Sequence, residues 1–404
     1  MMRFVPWLLV ALCFVLGVAS RSIADSFPVF VPALEQAFSA NRGDVTIIYS
    51  FVLLVGGISG PVNGWILDRL GLRALTVLGM SLAAAATFLA SHATALWHFY
   101  VTLGVMLGFG GASVSGVLSA SLLGRWFPAR RLGVGLAVAW SATGVGTMLT
   151  IPLAQSMIVT SGWRHAYLVF SIASVVFVPI VLVLPWRRIA AGAPGLVRAH
   201  AASGAGPTVA EAIRDWPFWA LTFSFCFTSV GIFSIVPQTM SYLLERGMEG
   251  GHAARALAVA GILTPLGMVG FSWLADRGGR KIAAVLAYAC SIAGVGALAM
   301  VRGPGDDHWL WLYVLLFGGS QGSRGPMIST LATLRYRGAN FGRIYGLIGI
   351  GMGLGGFFGA WVGGLLHDLT GGYAAVMIFS ACSLALAAAS LGSEAGARER
   401  LSAR

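Results

Sequence analysis

Long apolar runs recur along this chain with a steady beat. Each lasts about twenty residues, the length an α-helix needs to cross the hydrocarbon core of a bilayer, and each gives way to a polar or basic turn. The pattern predicts twelve membrane-crossing helices, over 5–33, 44–67, 74–92, 97–123, 133–159, 163–185, 215–244, 253–275, 281–301, 308–334, 340–366 and 371–392. The connections are short apart from 186–214, where Arg187, Arg188, Arg198, His200 and Arg214 stand among Gly, Ala, Ser and Pro. The expected organisation is an all-α membrane protein with two six-helix bundles, 1–185 and 215–404, joined by a polar linker over 186–214.

The two bundles repeat one another. An offset of about 209 residues pairs Pro28 with Pro237, Gly110 with Gly319, Gly133 with Gly342, Gly146 with Gly355, Gly162 with Gly371 and Phe170 with Phe379. An offset of 208 pairs Asp68-Arg69 with Asp276-Arg277. A near-constant offset along most of a half argues for duplication. Parallel repeats related by an axis along the membrane normal are expected to hold a substrate near mid-bilayer, where the repeats face each other.

Composition agrees with this pattern and then refines it. Of 404 residues, 57% are hydrophobic and only 10% charged, too few charges to cover a soluble surface of this size. The net charge of +12 would point to nucleic acid in a soluble protein. Here the basic residues sit in the connections, so they read as topology signals. With the amino terminus cytoplasmic, the inside loops hold Arg69, Arg73, Arg125, Arg130, Arg131, the linker arginines, Arg277, Arg280, Lys281, Arg335, Arg337, Arg343, Arg398, Arg400 and Arg404. The outside holds Arg42, Arg164, Arg246, Arg255 and Arg302. Both termini are therefore expected in the cytoplasm, and the Arg-rich, nearly Lys-free composition points to a bacterial inner membrane. The four cysteines lie in apolar runs without metal-ligand spacing and read as small packing residues. Arg3 and Val18-Ala19-Ser20 resemble a cleavable leader, but the repeat needs the first helix in place.

Against this background, Arg21 and Arg324 stand out. Both lie well inside apolar runs, where an ionised side chain is costly unless it meets water, a partner or a ligand. Arg21 has Asp25 one turn on, on the same helix face. Such a pair does little for stability once both ions are desolvated. It suits a switch in which an anion competes with Asp25 for Arg21 and a proton on Asp25 frees the guanidinium. Arg324 lies in Gln321-Gly322-Ser323-Arg324-Gly325-Pro326, with no acidic residue within a turn and with small neighbours that would admit a ligand. Its planar fork matches a carboxylate. A structural pair at Arg21 and carbonyl bonding at Arg324 are the plainer alternatives. Gln238, Gln321 and Ser115, the last being the repeat equivalent of Arg324, are supporting candidates for substrate contact, although packing between helices explains each as well. Tyr49, Asn63, Trp140 and Gln155 are weaker candidates still.

Two strings identify a family. Gly64-Trp65-Ile66-Leu67-Asp68-Arg69-Leu70-Gly71-Leu72-Arg73 and Ser272-Trp273-Leu274-Ala275-Asp276-Arg277-Gly278-Gly279-Arg280-Lys281 both resemble the G-x-L-[AS]-D-R-x-G-R-[RK] loop of the major facilitator superfamily. The first departs from it with Leu72 where Arg is usual, and the second with Ser272 where Gly is usual. The resemblance implies a secondary transporter whose first, fourth, seventh and tenth helices line the cavity, and Arg21 and Arg324 fall on two of these. Asp68 with Arg69 and Arg73, and Asp276 with Arg277 and Arg280, are expected to form gating charge clusters at helix ends. Ser26-Phe27-Pro28-Val29-Phe30, Asn41-Arg42-Gly43-Asp44 and Gly60-Pro61-x-x-Gly64 resemble the bacterial monocarboxylate-transporter and oxalate/formate-antiporter branch. The first-helix Asp/Glu-Gly-Gly/Ser-Trp signature of the animal carriers is absent, as is the branch's helix-eight arginine.

Nothing in the sequence supports catalysis. It has no phosphate-binding G-x-x-x-x-G-K-[ST] string, no metal-spaced cluster and no nucleophile elbow. The expectation is a cofactor-free carrier of small organic anions, monocarboxylates in particular. It would work as a monomer in a lipid bilayer, without nucleic acid, driven by the proton gradient or by the substrate gradient. Efflux of amphipathic drugs and a non-transporting nutrient sensor on the same fold are the competing readings. Two cavity arginines would repel cationic drugs, and no long signalling domain is present.

Overall fold

The computed structural model describes residues 5–193 and 206–402. Arg3, Arg198, His200 and Arg404 lie outside the described residues, as do the side chains of Arg42, Arg398 and Arg400. Among the described residues the chain is helical throughout, with no strand.

Among the described residues, nine helices are long and apolar enough to cross a membrane. Two of these carry a sharp bend at a left-handed glycine, Gly71 (φ 83°) in Gly60–Ser91 and Gly162 (φ 85°) in Ala142–Val183. Only glycine takes up such a conformation at no steric cost. Each bend ends one span and starts the next. The helix Arg42–Ile58 runs into Gly60–Ser91 across Ser59 and completes the second span. The tenth span is made of Asp307–Tyr313, Val314–Gly318 and Arg324–Arg335 in succession. Divided in this way, the described helices form the twelve spans anticipated from hydropathy. Short helices, Trp186–Ala191 and Val209–Arg214, occupy both ends of the segment expected to be a linker.

The repeat is visible in the irregularities. The first span breaks into a 3₁₀ turn at Phe27–Phe30, and the seventh does so at Val236–Gln238. Pro28 and Pro237 impose these breaks, because each removes a backbone donor from the helix. The fourth span contains a π-helical stretch at Tyr100–Leu107 and a break at Ser115 (φ −99°, ψ −103°). The tenth contains a π-helical stretch at Val314–Gly318 and a turn through 321–323. Positive φ recurs at Gly71 and Gly279, and at Gly162 and Gly371.

Contacts divide the chain into two units. The first comprises 1–128, 139–209 and 333–347, and the second 129–138, 210–332 and 348–404. Each unit thus includes one short segment from the other half of the sequence. The first unit has an aromatic core in which Phe30 stacks on Tyr167 at 4.2 Å, surrounded by Phe99, Trp163 and Phe170. In the second, glycines at four-residue spacing on the eleventh span seat the seventh. A Cβ on Gly351, Gly355, Gly359 or Gly363 would stand 2.2–2.8 Å from the carbonyl oxygens of Thr222, Cys226, Val230 and Ser234. Small residues let membrane helices approach this closely, and dispersion then holds them together.

Candidate functional site

In the first unit, the helix Val5–Asp25 carries Arg21 and Asp25 on one face, one turn apart. Arg21 Nε lies 3.3 Å from Asp25 Oδ2. The phenol of Tyr49, on Arg42–Ile58, donates to Asp25 Oδ1 at 3.0 Å. Asp25 is therefore held from two sides by a cation and a neutral donor. The Tyr49 ring is stacked with Phe27, centroids 6.4 Å apart, which fixes its orientation. The Arg21 side chain keeps 18% of its surface exposed and Asp25 keeps 11%.

Arg324 is placed otherwise than its small neighbours imply. Its side chain is 0% exposed. Nη1 donates to the Ala287 carbonyl at 3.1 Å and to Ser291 Oγ at 2.7 Å, and the guanidinium carbon lies 5.1 Å from the centre of the Tyr288 ring. These partners all belong to Arg280–Met300, the ninth span. Nε and Nη2 have no partner among the described residues. The small residues around Arg324 admit neighbouring helices rather than a ligand: a Cβ on Gly322 would lie 2.5 Å from Met268 Cε. The correction has a simple cause. A carbonyl, a hydroxyl and an aromatic face together can house a cation without any acid nearby.

The supporting residues are dispersed. Gln321 Nε2 donates to Thr264 Oγ1 at 2.9 Å, joining the tenth span to the eighth. Gln238 has a buried Oε1 without a partner among the described residues. Ser115 sits at the break in the fourth span, with Oγ 3.4 Å from the Ala112 carbonyl. Asn63 accepts from Ser113 at 2.8 Å and serves packing between spans two and four. Tyr49, a weak candidate in the sequence, has the clearest contact with Asp25.

The loop aspartates also differ from expectation. Asp68 does not face Arg69 and Arg73; its two oxygens accept the backbone N–H groups of Gly342 and Arg343, each at 3.0 Å. Successive helical residues point apart, and the bend at Gly71 carries Arg73 onto the next helix. Arg69 instead lies 6.0 Å from the Trp65 ring centre. In the second unit, Asp276 accepts from the Val134 N–H at 3.0 Å. Arg277 lies 4.6 Å from the Trp273 ring centre, and Arg280 Nη2 donates to the Ala129 carbonyl at 3.1 Å. These amide partners lie far away in the sequence, and nothing near the motifs signals them.

The family model for the Major Facilitator Superfamily matches residues 10–348. Monocarboxylate transporter 11 of Homo sapiens is 28% identical over 394 residues, which cover 93% of this chain and 79% of that protein. Monocarboxylate transporter 13 of Rattus norvegicus is 28% identical over 383 residues, covering 94% and 86%. Among solved structures, a double tryptophan mutant of XylE superposes with a TM-score of 0.76 at 15% identity, over 95% of this chain and 94% of that one. At that identity the likeness shows the fold alone.

Proposed function

Because this chain belongs to the major facilitator superfamily, and is a multi-pass membrane transporter and not an enzyme, we propose that it carries small organic anions, monocarboxylates in particular, by proton-coupled alternating access. The Arg21–Asp25–Tyr49 cluster carries this reading. It pairs a membrane-embedded guanidinium with a carboxylate that a proton can neutralise, and both groups stay partly accessible. The names of the relatives, monocarboxylate transporters, support the same substrate class.

In this scheme the substrate carboxylate replaces Asp25 on Arg21 while Asp25 takes up a proton that Tyr49 helps to orient. Arg324, buried against the ninth span, holds the broken tenth helix in shape. Asp68 and Asp276 act as latches that grip or release loop amides as the carrier changes state. The distribution of arginines supports both termini in the cytoplasm of a bacterial inner membrane, and the protein would work as a monomer. Reconstitution in liposomes tests the reading. With an inward proton gradient, labelled lactate should accumulate, acetate and pyruvate should compete, and a neutral amide of the same size should not. Competition by the amide equal to that by the acids would remove the anion from the account.

A further inference from the structure

We propose that the first unit carries a second anion site, separate from Arg21, that binds a phosphate-type oxyanion. The site is a cavity of about 300 Å³ walled by Ser121 and Arg125 at the end of the fourth span, by Ala190 and Ala191, and by Thr333 and Arg337. Two arginines, a serine and a threonine line it, with no acidic residue among the described lining.

The Arg125 side chain and the backbone of the Arg337 loop are held in place. Arg125 Nη1 donates to the Ala190 carbonyl at 3.0 Å, and the Arg125 carbonyl accepts the Ala193 N–H at 3.1 Å. Next to it, Trp126 Nε1 donates to the Ile189 carbonyl at 2.7 Å. The loop bearing Arg337 rests on Gly206, where a Cβ would stand 2.2 Å from the Arg337 carbonyl oxygen. Asn340 Nδ2 donates to the Pro207 carbonyl at 3.4 Å. A cavity with two cations, one of them fixed on a backbone carbonyl, favours an anion before any induced change. Burial lowers the pKa of the Arg337 guanidinium, a sign that its charge is poorly solvated.

The geometry also selects the kind of anion. A monocarboxylate has one charge and two oxygens, which a single guanidinium fork satisfies. A phosphate group has more oxygens and more charge, and can engage two forks together with the Ser121 and Thr333 hydroxyls. This separates the site from the one proposed at Arg21. The phosphate could belong to a free ion or to a lipid headgroup, since the chemistry of the contact is the same. Occupancy has a consequence for the carrier. Asp68 attracts Arg125, so an oxyanion drawing on Arg125 would weaken the hold on Asp68 and, through it, on the Gly342 and Arg343 amides.

The experiment uses the full chain purified in lipid-free detergent, with thermal stability measured against inorganic phosphate and against chloride at equal ionic strength. A parallel arm uses nanodiscs of phosphatidylcholine with and without phosphatidate. Saturable stabilisation by phosphate and not by chloride is expected, with Arg337→Gln weakening the apparent affinity at least tenfold. Arg246→Gln, a surface change elsewhere, should leave the affinity unchanged. Stabilisation by phosphatidate alone, lost in Arg337→Gln, would assign the phosphate to a lipid. If Arg337→Gln does not fold, Ser121→Asp, which puts a negative charge into the cavity, must abolish the effect. No saturable response in either arm, or a response that survives both substitutions, overturns the site.

Discussion

Replacing Asp68 by Asn tests the latch in the first unit. The half-buried carboxylate accepts two backbone N–H groups at 3.0 Å. A hydrogen bond to a charged group contributes about 1.5–3 kcal/mol and a neutral one about 0.5–1.5 kcal/mol. Asn keeps a single neutral acceptor and turns its NH₂ toward the second amide. The expected loss is therefore roughly 1.5–3 kcal/mol, after allowance for partial exposure. At about 1.4 kcal/mol per factor of ten, the Gly342 and Arg343 amides should exchange with deuterium about 10- to 100-fold faster. Hydrogen exchange read by mass spectrometry on peptides covering 338–346 measures this directly. Arg69→Gln, whose guanidinium lies over the Trp65 ring, should change the same amides less than about twofold. Unchanged exchange in Asp68→Asn, or equal acceleration in Arg69→Gln, would refute the assignment of Asp68 to those amides.

Further outcomes follow from the same geometry. Arg324→Ala removes the donor to Ala287 and Ser291 and opens a void. It should destabilise the protein by on the order of 2–5 kcal/mol, seen as a lower Tm; a variant with unchanged Tm but no transport would make Arg324 a substrate contact instead. Asp25→Asn should flatten the pH dependence of uptake in liposomes, and a profile like that of the wild type would release Asp25 from proton coupling. Burial and the 2.8 Å bond to Glu245 push the Tyr373 phenol up to about 12 from an ordinary 10. A raised folded-state value means the stabilisation is complete below pH 10 and is lost as pH rises toward 12. Tyr373→Phe should therefore lose about 1 kcal/mol at neutral pH and show a shallower alkaline decline in Tm than the wild type; an equal decline would clear Tyr373.

Hydropathy made the twelve spans legible because membrane thickness sets a fixed length for an apolar helix. Pro28 and Pro237, which the repeat pairs, cause the same local fault in both halves. The Arg21–Asp25 pair was legible for a similar reason: helical spacing alone puts the two on one face. Contacts between distant segments were not. The partners of Asp68 are backbone amides, which have no residue signature, and the nearby arginines drew the inference toward themselves. Arg324 misled in the opposite way. Small residues beside a charge read equally as room for a ligand or room for a helix, and only packing decides. Tyr49 was underrated because the hydrogen bond that matters crosses from one helix to another.

The most direct test of the central claim is lactate uptake by reconstituted Arg21→Gln beside the wild type, both folded by size exclusion and thermal melt. The neutral amide keeps length and polarity but loses the charge that Asp25 and a carboxylate would share. The account predicts at least a 100-fold loss of uptake, about 3 kcal/mol of transition-state stabilisation. Uptake in Arg21→Gln within a few-fold of the wild type would contradict it.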